Sequence, residues 1–183
     1  GGTLPDEVHE ILSEILNQYP KVKFGVHFQN DNGCAVANSM VAVELGVDHV
    51  QGTINGYGER TGNADLCTLI PNLSLKKAYE TISESSLSKL TQIANHIAEL
   101  VNVAIDSRQP YVGSSAFTHK AGLHASGMAK DNILYEHIDS SKVGNFTRTT
   151  VSELAGRASV VTKALEFGIE LNNEEAKKLI ESV

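Results

Sequence analysis

The sequence predicts an α/β fold that gives way to a mostly helical region, and three observations carry that prediction. Two short apolar segments, Val22 to Phe28 and Asp48 to Ile54, flank a helical stretch, the order of one right-handed βαβ unit in a parallel sheet. Both segments run at their C-terminal ends into polar strings, the place where βα barrels collect functional side chains. Beyond Pro71 the apolar residues take up helical spacing and no strand follows closely.

Taken in order, Leu4, Val8, Ile11, Leu12, Ile15 and Leu16 recur at helical spacing behind Thr3, Pro5 and Asp6, which supply a cap, a first-turn proline and N-terminal negative charge. The chain therefore opens on a helix, punctuated by Pro20. Gly25 lies inside the first strand, and Asn30 to Gly33 form a loop. Ala35 to Leu45 is a helix rich in Ala, Val and Met, and Gly46 suits the left-handed position after its C-terminus. Gly56 to Gly62 is a glycine-rich loop, and Ala64 to Ile70 a further helix stopped by Pro71. A parallel sheet buries both faces and needs several strands. Two strands behind an unaccompanied helix are thus expected to be part of a larger sheet cut at its N-terminus. The expected organisation is a parallel-sheet part over residues 1–72 and a mostly helical part over 73–183. In the second part Leu87, Leu90, Ile93, Ala94, Ile97, Leu100, Val101 and Ala104 predict one helix over Ser86 to Ala104, its stripe serving a core or a dimer interface. Residues 109–130 are rich in Gly, Ser and His and are expected to be an ordered loop or a flexible segment. Short helices are expected at Ser140 to Val143, Thr150 to Ser159 and Glu174 to Ser182.

Composition narrows the function classes. A formal net charge of -7 on 183 residues argues against nucleic acid or an anionic membrane surface as partner, since both require a basic footprint. No apolar run approaches the roughly 18 residues of a membrane span, and the opening residues do not read as a signal peptide. Cys34 and Cys67 form no C-x-x-C pair, which fits a reducing cytoplasm better than a disulfide scaffold.

The chemistry-bearing residues concentrate at the two strand ends. The first ends in H-F-Q-N-D-N-G, where His27 and Gln29 lie two apart and therefore project together, with Asn30 and Asp31 behind them. An imidazole nitrogen is a good ligand for a divalent transition metal and a Gln oxygen a weaker, harder one. Taken alone, His27 also reads as a hydrogen-bonded strand-end histidine. The second strand ends in G-T-I-N-G-Y-G-E-R-T-G-N-A-D-L, residues 52 to 66. Its glycines let the backbone approach a ligand, and Arg60 can meet a carboxylate or phosphate, although Glu59 and Arg60 equally suit pinning the loop to its neighbours.

These strings resemble a known family. G-V-H-F-Q-N-D-N-G-C-A-V-A-N-S, then V-Q-G-T-I-N-G-Y-G-E-R-T-G-N-A-D-L, is similar to the last two strand-end motifs of synthases that condense acetyl-CoA with a 2-oxo acid. Y-V-G-S-S-A-F-T-H-K-A-G-L-H-A-S-G-M and V-S-E-L-A-G-R-A-S resemble the linker subdomains of the same 2-isopropylmalate, homocitrate and citramalate synthase family. The wording T-I-N-G-Y-G-E-R-T-G-N-A-D-L-C-T-L-I-P-N-L is most similar to the citramalate-synthase-like branch. The resemblance covers nearly all of the chain in order. It implies the last βα units of a TIM (β/α)8 barrel followed by mostly helical linker subdomains, as the C-terminal part of an enzyme of leucine or isoleucine biosynthesis.

In that family an early Asp, two His of an H-x-H-N-D string and an Asn of the later G-N pair hold a divalent metal. The resemblance places Mg, Mn or Zn at His27, Gln29 and Asn63. The early Asp has no counterpart and Gln29 stands where the family has His, which implies a weakened or vacant metal site. Asn30, Asp31, Glu59 and Arg60 are implied to bind substrate or cofactor. His124 and Tyr135 match linker residues that reach into a partner subunit's site and assist proton transfer, His119 matching less closely, so a homodimer is implied. Without the resemblance, a histidine in a Gly-Ser loop reads as a solvated surface residue. The implied reaction is a Claisen condensation of acetyl-CoA with a 2-oxo acid such as pyruvate or 2-oxoisovalerate. The family's base, substrate-clamping Arg and first Asp belong to strands preceding Gly1, so the chain alone is expected to be inactive. Hydroxymethylglutaryl-CoA lyase relatives share the histidine motif but lack the F-T-H-K-A-G-L-H-like subdomain. A homocitrate synthase and a non-catalytic dimerisation or scaffold module are the remaining readings.

Overall fold

A computed structural model describes residues 1–120, 136–150, 160–161, 164–165 and 167–181. Helix α1, Pro5–Gln18, opens with proline at the first helical position, where a missing N–H costs nothing. Its cap is Leu4 and not Thr3: the Leu4 N–H donates to Glu7 Oε2 at 2.7 Å, so the orphan donor is satisfied from inside the first turn.

Strands β1, Gly25–His27, and β2, His49–Gln51, pair in parallel with Gly25 opposite His49 and His27 opposite Gln51. Helix α2, Ala35–Glu44, joins them, completing the expected βαβ unit. Gly46 closes α2 at φ +96°, and the Gly46 and Val47 N–H groups donate to Val43 O and Ala42 O, both at 3.0 Å. Both strands are shorter than the apolar segments that predict them. Beyond them the polar strings pair through isolated bridges, Gln29 with Asn63 and Thr53 with Asp65. Asn38, buried on α2, donates to Thr3 O at 2.8 Å and ties the start of α1 to the unit.

Helix α3, Leu66–Pro71, does not stop at its proline. Pro71 has no N–H to donate, and the chain widens into a π-helical turn over Asn72–Lys76 instead of ending. The long helix expected over Ser86 to Ala104 is two. Helix α4, Glu84–Leu87, is capped by Ser83, whose Oγ accepts from the Ser86 N–H at 3.2 Å, and α5 runs over Leu90–Val101. The break coincides with a backbone contact, since a Cβ at Gly144 would lie 2.2 Å from Ser88 O. Apolar periodicity continues across the break, which is why the sequence reads as one helix. Leu87, Leu90, Ala94 and Ala98 turn into the protein, whereas Ile93, Leu100 and Val101 of the expected stripe face outward.

The main core joins Cys67 of α3 and Leu87, Leu90 and Ala94 of α4 and α5 to Tyr111, Val112, Phe117 and Val143. Residues from both halves of the chain therefore bury one another. Strands β3, Thr118–Lys120, and β4, Arg148–Thr150, form a second parallel pair that the sequence does not predict. Asn145, itself buried, donates to Tyr111 O at 2.9 Å and Gly113 O at 3.0 Å, pinning the loop ahead of β3. The short helix expected at Ser140 to Val143 is a 3-10 helix with those bounds, and α6 spans Asn173–Glu181. The helix expected over Thr150 to Ser159 falls outside the described residues except at its first position. No helix among the described residues is long and apolar enough to cross a membrane.

Candidate site at the strand ends

The two polar strings meet at the C-terminal ends of β1 and β2. The Ala64 N–H donates to Phe28 O at 3.1 Å and the Asn30 N–H to Gly62 O at 2.8 Å, which sets Gln29 directly against Asn63. Opposed residues of a bridge share a face, and His27, two positions before Gln29, shares it by strand alternation. The backbone thus places the three expected metal positions side by side. His27 is exposed, while Gln29 and Asn63 are half-buried.

The glycine-rich loop is built around Asn63. Its Nδ2 donates to Tyr57 O at 2.9 Å, a bond that uses the donor end of the amide and leaves the Oδ1 end as an acceptor. A Cβ at Gly58 would lie 2.3 Å from Asn63 Nδ2, and one at Gly62 only 1.9 Å from Gly56 O. At Gly62 close approach to backbone and φ +88° both require glycine, whereas at Gly58 a side chain would have to push the Asn63 amide aside.

Arg60 and Asp31 meet each other. Arg60 Nε donates to Asp31 Oδ1 at 2.7 Å and a second guanidinium nitrogen to Oδ2 at 3.3 Å. The guanidinium holds the Asp31 carboxyl below its usual range. The pair ties the two strings together across the mouth. Glu59 lies 3.7 Å from Arg60 and is exposed. Asn30 uses its Oδ1 to accept from the Ala35 N–H at 3.2 Å, at the first turn of α2.

A groove of about 390 Å³ opens beside Asn63, lined by Asn30, Tyr57 and Thr61 from the strand-end strings and by Arg108 and Gln109 from the later loop. Asn55, Asp65 and Gln109, which also line it, form a polar network that sequence reasoning missed. Asp65 caps α3 by accepting from the Cys67 N–H at 2.8 Å, and Gln109 donates to both Asp65 and Asn55. The signal for Asp65 was present in A-D-L-C-T, an acidic residue just ahead of a helix. Nothing local marks Gln109. Burial pushes the Cys67 thiol up to about 12, so it is a core residue and not a nucleophile.

Among the described residues no group of three or more His, Cys, Asp or Glu could hold a metal ion. His27, Gln29 and Asn63 offer one imidazole nitrogen and two amide oxygens. That set fits one side of a divalent-cation shell, but it carries no negative charge to hold the ion by itself. His124 and Tyr135 lie outside the described residues. His119, on β3, places Nε2 at 3.3 Å from Glu136 Oε1, which also accepts from Thr147 Oγ1 at 2.6 Å.

The HMGL-like family model matches residues 1–97, and the homocitrate synthase post-HMGL domain-like model matches residues 111–183. The chain belongs to the HMGL-like family. Among relatives of this HMGL-like chain, the (R)-citramalate synthase of Aquifex aeolicus is 49% identical over 185 positions, covering 100% of this chain and 35% of the relative. The probable 2-isopropylmalate synthase of Methanopyrus kandleri is 34% identical, covering 100% of this chain and 36% of the relative. The chain spans about a third of the length of these curated relatives. An HMG-CoA lyase structure from Acinetobacter baumannii aligns with TM-score 0.51 and 22% identity, over 57% of this chain and 35% of that one. That likeness is one of fold: β1, α2, β2 and α3 are βα units of a TIM-type barrel.

Proposed function

We propose that this HMGL-like chain is part of an acyltransferase that condenses acetyl-CoA with a 2-oxo acid to a 2-hydroxy dicarboxylate, in leucine or isoleucine biosynthesis. The observation that carries the reading is the bridge of Gln29 to Asn63 beside His27 at the strand ends of a barrel chain. The greater identity to a citramalate synthase than to a 2-isopropylmalate synthase favours pyruvate over 2-oxoisovalerate as the 2-oxo acid.

In this reading His27, Gln29 and Asn63 hold a divalent cation, Mg, Mn or Zn, together with a negatively charged ligand from elsewhere in the protein. When bound, the cation supplies Lewis acidity toward the ketone of the 2-oxo acid. The chain's own residues do the positioning. Tyr57 O orients the Asn63 amide, and the Asp31 and Arg60 pair holds the two strings at a fixed spacing. Asn30, Asp31, Glu59 and Arg60 contact substrate or acetyl-CoA at the mouth, with Arg60 shared between Asp31 and an incoming carboxylate. His124 and Tyr135 assist proton transfer in the partner subunit of a homodimer. The outward-facing Ile93, Leu100 and Val101 on α5 support that dimer. Two free cysteines suit a reducing cytoplasm. The 183 residues alone are expected to be inactive.

Two measurements test the reading. Exchanging this chain for the corresponding part of the Aquifex aeolicus synthase should preserve CoA release from acetyl-CoA and pyruvate, and loss of all turnover in a folded chimera would sink it. In the same chimera Gln29→His should tighten Mn binding by calorimetry, because an imidazole nitrogen replaces an amide oxygen. Unchanged affinity would mean that position 29 does not face the ion. If neither this chain nor the chimera binds a divalent cation specifically, the dimerisation or scaffold reading takes precedence.

A further inference from the structure

We propose that Gln109 is a positioning residue for Asn63, a crossbar that ties together the two limbs of the glycine-rich loop; this rests on the reading of Asn63 as a ligand at the strand-end site. Asn55 sits at the start of one limb and Asp65 at the end of the other. Gln109 Nε2 carries two protons, one for each acceptor. It reaches Asn55 Oδ1 at 3.3 Å and Asp65 Oδ2 at 3.1 Å.

Both acceptors are themselves fixed. Asn55 holds a left-handed backbone at φ 60°, and its Nδ2 donates to Ala94 O on α5 at 2.8 Å. Asp65 caps α3, and its Oδ2 also accepts from Thr68 Oγ1 at 2.9 Å. The limbs touch between these ends, since a Cβ at Gly56 would lie 3.3 Å from Asn63 O and 3.4 Å from Asp65 Cβ. Tyr57, the residue whose carbonyl orients the Asn63 amide, follows Asn55 by two positions. Spreading the limbs therefore moves the group that aims Asn63.

Gln109 is delivered to this place by construction. Its N–H donates to Asp106 O at 3.0 Å, its carbonyl accepts from the Gly113 N–H at 3.0 Å, and a Cβ at Gly113 would lie 2.7 Å from either Gln109 N or O. The residue also falls between the two family-matched regions, 1–97 and 111–183. A connector that neither family model spans thus reaches back into the barrel's loop and couples the post-HMGL module to the site.

The test compares the 183-residue chain with its Gln109→Leu and Gln109→Glu variants. Leucine removes both donors. Glutamate is nearly isosteric, so it should fold, but it brings a second carboxylate against Asp65. Amide hydrogen exchange by NMR should accelerate about tenfold or more at Asn63 and Ala64, whose N–H groups donate to Gly56 O and Phe28 O. Exchange at Val8 and Leu45, in α1 and after α2, should stay at the wild-type rate. Unchanged exchange at Asn63 and Ala64 in both variants overturns the proposal, as does equal acceleration at all four amides, which would show general destabilisation. A Mn titration by calorimetry, made in the chimera with the Aquifex aeolicus synthase, which supplies the ligands this chain lacks, separates this from the functional reading. Wild-type binding that both variants weaken supports a positioning role, and equal affinity in all three overturns it. No binding by the wild-type chimera counts against Asn63 as a ligand, while the exchange result still decides whether Gln109 ties the loop.

Discussion

At the scale of single residues, the site is governed by what glycine permits and by where amides and carboxylates find partners. Gly62 combines φ +88° with a gap that leaves no room for a methyl group against Gly56 O. Gly62→Ala is expected to cost at least about 2 kcal/mol, from backbone strain and displacement of the facing limb. Urea denaturation checks this, and a loss within a few tenths of a kcal/mol would show that the loop relaxes freely. The sequence exposed the glycines, His27 and Gln29 as candidates, because a strand end followed by glycines has a local signature, and the family resemblance added Asn63. It did not expose the pairing of Asp31 with Arg60. Such a contact joins residues from two different strings, and only the juxtaposed strand ends bring them within 2.7 Å.

At the scale of elements, the βαβ unit follows from periodicity and from Gly46, whereas lengths and breaks follow from neighbours. Pro71 was expected to stop α3, yet the chain passes into a π-helical turn that accommodates the missing donor. The split between α4 and α5 falls where Gly144, more than fifty residues away in the chain, packs against Ser88 O. The segment before the 3-10 turn carries a pH dependence of its own. The His137 ring stacks on Phe117 at 6.1 Å and meets Tyr111 edge-on at 5.1 Å. Burial, with Lys76 nearby adding to it, holds the imidazole below its ordinary value of 6.5. A depressed histidine binds protons more readily unfolded than folded. Its contribution to stability is therefore present above 6.5 and lost as pH falls through the lower folded value. Between about pH 7.5 and about pH 5, the wild-type urea midpoint should fall further than that of His137→Phe. Equal falls would remove His137 as the source.

At the scale of the whole molecule, one core binds the barrel units to the helical region. Cys67 on α3 packs in the same cluster as Leu87, Leu90, Tyr111 and Val143. The two family-matched regions are thus joined by buried apolar contact. If His124 and Tyr135 serve a partner subunit's site, full-length subunits carrying a barrel-site substitution and a His124→Ala substitution should regain activity when mixed. Mixed dimers that form without any recovery would remove the exchange of linker residues between subunits.

The sequence by itself determined the kind of units present. Alternating and helical apolar spacing, the left-handed Gly46 and the glycines around Asn63 are local demands of backbone sterics and burial, and they are legible one segment at a time. It also determined the polar groups on offer at the strand ends, an imidazole and two amides. The tertiary structure alone decided which of these groups face one another. The Gln29 and Asn63 bridge, the Asp31 and Arg60 pair, the parallel β3 and β4 and the reach of Gln109 into the loop all join residues far apart in the chain. Each depends on the registry of packed elements, a property of the assembled core that no single segment carries.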